Sequence, residues 1–184
     1  MPQLNPARCL ILACGNPLRT DDGVGPWLAD WAEMRFGGRG DVRVVVRQQW
    51  TPELAEEIAR AQAVLFIDCS LDSAPGSVAL LPVEPGAGME GLATHHLGAP
   101  ELLALSRDIY GAQPANAQLV TVGAGSTELG EVFSEAVATA LPGACRLIEE
   151  TVLPFLVAAR RASRLYRRCT YNGCGAHGHA SFQA

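Results

Sequence analysis

The chain has 184 residues, 48% apolar and 18% charged, with a formal net charge of −5. That is enough for one domain with a full hydrophobic core, and it excludes a disordered acidic segment. All 14 basic residues are Arg; nine lie in residues 1–159 with all 19 acids, and five lie in residues 160–184 with none. An acidic body is the wrong surface for nucleic-acid phosphates, so no nucleic-acid partner is expected. The expected organisation is a single α/β domain over 1–159 and a basic, flexible, Cys- and His-bearing tail over 160–184.

In chain order, the apolar run Cys9–Cys14 is the first predicted strand. It is too short for a signal-peptide core or a membrane span, so a cytoplasmic protein with no membrane partner is expected. The loop Gly15-Asn16-Pro17-Leu18-Arg19-Thr20-Asp21-Asp22-Gly23-Val24-Gly25 follows, and a helix is predicted over Asp22–Phe36. Its spacing matches neither the dinucleotide fingerprint nor the P-loop, and two carboxylates at a helix N-terminus repel phosphate. The plainer reading is that Thr20, Asp21 and Asp22 cap the helix; one of them suffices for that, which leaves the second acid to explain.

Further strands are predicted at Val42–Arg47, Val64–Asp68, Val78–Leu81 and Gln118–Val122, and helices at Pro52–Ala61 and Leu97–Ile109. A long terminal helix is expected within Leu129–Arg168, with breaks near Pro142 and Pro154, because proline interrupts the hydrogen-bond ladder. Val78–Leu81 follows Asp68 too closely for a helical crossover and reads as an antiparallel edge strand. The expected fold is a three-layer α/β/α sandwich with a mostly parallel sheet plus that one edge strand, of the phosphorylase/hydrolase-like kind.

In open α/β sheets ligands bind beyond the carboxyl ends of the strands. Two acids stand there: Asp22 in the first loop, and Asp68, which closes the third predicted strand with its carboxylate toward the crevice. A turn-forming Asp bonded to nearby amides is the plainer reading of Asp68. Ala93-Thr94-His95-His96-Leu97-Gly98 places two of the four His where a loop enters a helix. Two carboxylates and one imidazole make a set for a borderline divalent metal with positions left open. Neighbouring helical residues point about 100° apart, so His95 and His96 do not both face one ion. An aspartic-type dyad of Asp22 and Asp68 is a second mechanism. Ser70 and Ser126 lack a nucleophile elbow, and Cys9, Cys14 and Cys69, in apolar strand-like runs, read as structural.

These motifs resemble those of the hydrogenase maturation proteases, peptidases that trim the large subunit of nickel–iron hydrogenases. The likeness covers residues 9–157 and rests on Gly-Asn-x-Leu-x-x-Asp-Asp-Gly at 15–23, on Asp68, and on His-x-Leu-Gly at 95–98. It implies that Asp22, Asp68 and His95 are the metal-binding and catalytic residues, Asp22 standing where relatives often have Glu. Where many relatives carry Gly-Gly-Thr after the second strand, this chain has Gln48-Gln49-Trp50-Thr51-Pro52-Glu53, similar to the subgroup serving bidirectional, NAD-linked hydrogenases. The resemblance implies removal of a C-terminal extension from the nickel-loaded large-subunit precursor, the nickel arriving with that partner and another divalent ion able to take its place in the isolated protein. A non-proteolytic nickel-sensing chaperone is the alternative, and a small-molecule hydrolase or phosphorylase is the third.

In the tail, Cys169, Cys174, His177 and His179 form Cys-x4-Cys-x2-His-x-His, tighter than zinc-finger spacing and with little apolar content to fold around it. A flexible terminus is the expectation there, and a second metal site the alternative.

Overall fold

The computed structural model describes residues 8–87 and 97–171, with side chains as far as residue 156. Its strands are β1 (Cys9–Cys14), β2 (Val42–Arg47), β3 (Ala63–Ser70), β4 (Val78–Pro82) and β5 (Asn116–Gly123), and its helices α1 (Val24–Phe36), α2 (Leu54–Arg60), α3 (Ala99–Tyr110) and α4 (Glu135–Tyr171). The strands form one sheet in the order β2-β1-β3-β5-β4. All neighbours pair in parallel except β4, which runs antiparallel to β5 along the edge.

Successive side chains of a strand face opposite sides of the sheet. In β1, Cys9, Ile11 and Ala13 join Leu65, Ile67, Val120 and Val122 under α1 and α4. Leu10 and Leu12 join Val64 and Phe66 on the opposite side, beneath α2 and α3. Every residue of β1 is buried, as expected of a central parallel strand covered on both faces. The three-layer α/β/α sandwich with one antiparallel edge strand is therefore the observed architecture.

Three elements depart from the sequence expectation. Helix α1 begins at Val24, after a separate 3-10 turn over Thr20–Gly23, so Asp22 precedes the helix and does not open it. Strand β3 continues two residues past Asp68, because Asp68, Cys69 and Ser70 still find partners in Thr121, Val122 and Gly123 of β5. Helix α4 passes through Pro142 and Pro154 without a break. Each proline costs one backbone bond, but Val137, Ala144, Ile148, Val152 and Leu156 lie on one buried stripe that spans both prolines. That packing holds the helix together. The helix also runs to Tyr171, past the expected bound at Arg168. Among the described residues no helix is long and apolar enough to cross a membrane.

The approach of α1 to β1 is unusually close. A Cβ on Gly25 would stand 2.0 Å from the Cys14 carbonyl oxygen, so only glycine lets the first turn of α1 rest on the last residue of β1. Gly143, inside α4, has nothing within 4 Å of the same position. The two substitutions therefore differ in sign: Gly25→Ala should lower unfolding free energy by about 1–3 kcal/mol through overpacking. Gly143→Ala should raise it by about 0.5–1 kcal/mol through helix propensity, both read from urea unfolding. A tolerated Gly25→Ala would disprove the close packing of α1 on β1.

Candidate active site

Loops leaving β1, β2, β3 and β5 gather at the carboxyl edge of the sheet. The β1 loop turns back on itself at Gly15, whose φ of +142° and a Cβ position only 2.0 Å from the Asp22 carbonyl oxygen both demand glycine. Thr20 sits in the left-handed region at φ 39°, a costly place for a β-branched residue. It is held there by its N–H to the Gly130 carbonyl at 2.7 Å and its hydroxyl to the Ser126 carbonyl at 2.6 Å.

The adjacent acids Asp21 and Asp22 have separate tasks. Asp21 is fully buried and accepts backbone N–H bonds from Gly125 and Ser134 at 2.7 Å and from Ser126 at 2.9 Å. It thereby ties the β1 loop to the segment between β5 and α4. Burial opposes its ionisation, but the Ser134, Ser126 and Gly125 amides and the Ser134 hydroxyl outweigh it and hold the carboxyl below its usual range. Neither acid caps a helix by its side chain, so the capping expectation does not hold.

Asp22 turns toward β3. Its Oδ2 accepts the Asn16 N–H at 2.9 Å, and its Oδ1 accepts the Cys69 thiol at 3.3 Å. Asp68 accepts the Cys69 N–H at 2.8 Å, and the Trp50 side chain is close enough to favour its ionised form. Burial, reinforced by the nearby charge of Asp22, pushes the Asp68 carboxyl up to about 6 against the pull of those donors. The fold thus brings Asp22 and Asp68, 46 positions apart in sequence, into one electrostatic neighbourhood. His95 and its neighbour His96 lie outside the described residues, as do the side chains of Cys169, Cys174, His177 and His179. Among the described residues no three His, Cys, Asp or Glu side chains stand ready as a complete metal cage. Asp22 and Asp68 are oxygen donors suited to a divalent ion that arrives with its other ligands already in place.

Three contributors were not anticipated. Trp50 comes from the divergent segment after β2, its ring edge-on to Phe66 at 5.6 Å and its polar end at Asp68. Its position just beyond a parallel strand's carboxyl end was the available signal. Cys69 was read as structural but touches Asp22, and Cys14 donates its thiol to the Gln48 carbonyl at 3.4 Å. Burial and the charges of Asp22 and Asp68 push both thiols up to about 12, so as they stand they are poor nucleophiles.

Neither a protein-family model nor a curated protein sequence matches the chain. Solved structures do. The hydrogenase maturating endopeptidase HybD from E. coli superposes with a TM-score of 0.65 and 23% identity, covering 80% of this chain and 93% of that one. The hydrogenase 2 maturation peptidase from Thaumarchaeota archaeon SCGC_AB-539-E09 is 25% identical with a TM-score of 0.57, covering 79% of this chain and 97% of that one. The chain shares the fold of these hydrogenase maturation endopeptidases. The nickel–iron hydrogenase maturation protease HycI from Thermococcus kodakarensis KOD1 is 24% identical with a TM-score of 0.58, covering 82% of this chain and 92% of that one. Across these three maturation endopeptidases nearly the whole neighbour is matched, so the likeness extends over the domain and is not confined to the sheet.

Asp21 and Asp68 should move stability in opposite directions with pH. A carboxyl held below its usual range favours folding above the unfolded-state value and loses that contribution as pH falls; one held above it disfavours folding once pH passes the unfolded-state value. Asp21→Asn should therefore be less stable than wild type at pH 7 by about 1.5–3 kcal/mol, from its lost charge-assisted bonds, with the gap narrowing only below pH 3.8. Asp68→Asn should match wild type near pH 3.5 and exceed it at pH 7, the gap opening between 3.8 and about 6. Urea unfolding across pH measures both, and an Asp68→Asn protein with no gain at pH 7 would contradict the placement of that carboxyl.

Proposed function

We propose that this chain is a hydrogenase maturation endopeptidase that removes the C-terminal extension of a nickel–iron hydrogenase large-subunit precursor once nickel has been inserted. The convergence of Asp22 and Asp68 at the carboxyl edge of the sheet, on the fold of the named maturation endopeptidases, carries this reading. In it, nickel belongs to the substrate. Asp22 and Asp68 bind that cation, with His95 as the third ligand, and so register that the precursor is loaded.

The chain's own groups supply orientation and proton chemistry. The Asn16 amide fixes one oxygen of Asp22, and the Cys69 amide with the Trp50 side chain orients Asp68. An Asp68 oxygen that the cation leaves free takes a proton from a water that attacks the scissile carbonyl. That proton then passes to the departing amine, leaving a new carboxyl end on the large subunit. Burial strengthens these electrostatic effects by excluding competing water. Cysteine nucleophiles have no part in this scheme, because the nearby thiols hold their protons.

The decisive experiment incubates the purified protein with nickel-loaded and nickel-free precursor. Only the loaded precursor should be shortened, and Asp22→Asn, Asp68→Asn and His95→Ala should each slow that cleavage by about 100-fold or more. Full cleavage by both Asn variants would remove these acids from the mechanism. Binding of loaded precursor by wild type without cleavage would make the protein a chaperone.

A further inference from the structure

We propose that the exposed apolar rim formed by Leu18, Leu129 and Val132 is the docking surface for the folded body of the large-subunit precursor, which meets it with an apolar patch ringed by basic residues. That choice of partner rests on the function proposed above. Leu129 and Val132 are 84% and 81% exposed, and Leu18 is 55% exposed. Arg19 and Gly130 form an isolated parallel bridge, closed by the Gly130 N–H to the Leu18 carbonyl at 3.0 Å and the Thr20 N–H to the Gly130 carbonyl. Leu18 and Leu129 each precede the bridged pair by one residue, so they are cross-strand neighbours on one side of it. Beside Val132, Phe133 sets its ring edge-on to Trp27 at 6.5 Å, and Trp27, 40% exposed, extends the band onto α1.

Apolar side chains on a loose loop would turn inward; these are held out. The segment between β5 and α4 is pinned by its Gly125, Ser126 and Ser134 amides to Asp21, by the Ser126 carbonyl to the Thr20 hydroxyl and by the Thr127 carbonyl to the Arg19 guanidinium. The frame is fixed while Leu129 and Val132 stay in water, where they add nothing to the core. Contiguous apolar surface rimmed by polar groups marks an interaction face, and a pre-shaped one loses little entropy on binding. Two observations choose the occupant. The rim is continuous with the crevice, because Leu18 lies four residues before Asp22 in a loop closed by the Asn16 N–H to Asp22. A protein presenting its C-terminal extension to Asp22 and Asp68 therefore meets this wall. The rim is also acidic: residues 124–135 hold Glu128, Glu131 and Glu135, all exposed, and no basic residue. Two copies of this chain meeting face to face would set these acids against one another, which disfavours a self-paired dimer. A partner with Arg or Lys around an apolar centre fits.

The test pairs binding with kinetics, using the full-length protein and purified nickel-loaded precursor. Leu129→Lys/Val132→Lys should raise the Kd and the KM for the precursor by about tenfold or more, with kcat little changed and an unchanged urea midpoint. Glu128→Lys/Glu131→Lys should weaken binding in the same way, and most at low salt. Met34→Lys, which alters a side chain also 81% exposed but near the far end of α1, should bind and cleave as wild type does. Wild-type affinity and cleavage in Leu129→Lys/Val132→Lys would overturn the docking surface and leave the peptidase reading standing. An equal loss in Met34→Lys would overturn it too. So would a wild-type protein that sediments alone as a dimer which Leu129→Lys/Val132→Lys dissociates, since that assigns the rim to a second copy. Precursor bound through this rim but never cleaved would keep the surface and sink the peptidase.

Discussion

The buried carboxylate of Asp21 is the interaction on which the site depends. Three backbone amides, from Gly125, Ser126 and Ser134, converge on it in a place with no access to water. Amide donors there would be costly to leave unpaired, and a carboxylate there would be costly without them. Each makes the other tolerable. The bond set joins the loop after β1 to the segment before α4, which are otherwise distant in sequence, and a second seam reinforces it through Thr20 with Ser126 and Gly130. With the loop so anchored, the next residue along, Asp22, has little choice but to face β3.

That anchoring explains the paired acids. Adjacent side chains in a tight turn diverge, so one carboxylate can be sealed inside as a structural tie while its neighbour meets the crevice. The chemistry follows from the contrast in surroundings. Asp21 is surrounded by donors and is held ionised, whereas Asp68 is buried next to another acid and holds its proton more tightly than an ordinary aspartate. In the function proposed above such crowding has a use, because carboxylates that repel one another are relieved when a divalent ion arrives.

Much of the scaffold was legible in the sequence because its signals are local. The bounds of β1 and β2 follow from short, β-branched and apolar runs ended by Gly or charged residues, and the antiparallel edge strand follows from a connection too short to cross over. Where tertiary contacts compete with local rules, the reading failed in an instructive way. Two prolines suggested breaks in α4, yet a continuous buried stripe against α1, β5, β4 and β1 holds the helix together. Asp68 looked like a strand terminus by its polarity, but pairing with β5 carries β3 past it. Tail residues and His95 belong to segments outside the described residues.

By itself the sequence determined the layer order, the bounds of β1 and β2 and the choice of Asp22 and Asp68 as the acids to watch, because hydrophobic periodicity and residue chemistry are properties of short windows. Only the tertiary structure decided that Asp21 is a buried tie while Asp22 turns toward β3, that Trp50 comes close to Asp68, and that the Cys69 thiol lies against Asp22. Those assignments depend on which loops meet at one sheet edge and which way neighbouring side chains turn. Such relations between distant segments are set by packing and burial, and no single stretch of the chain contains them.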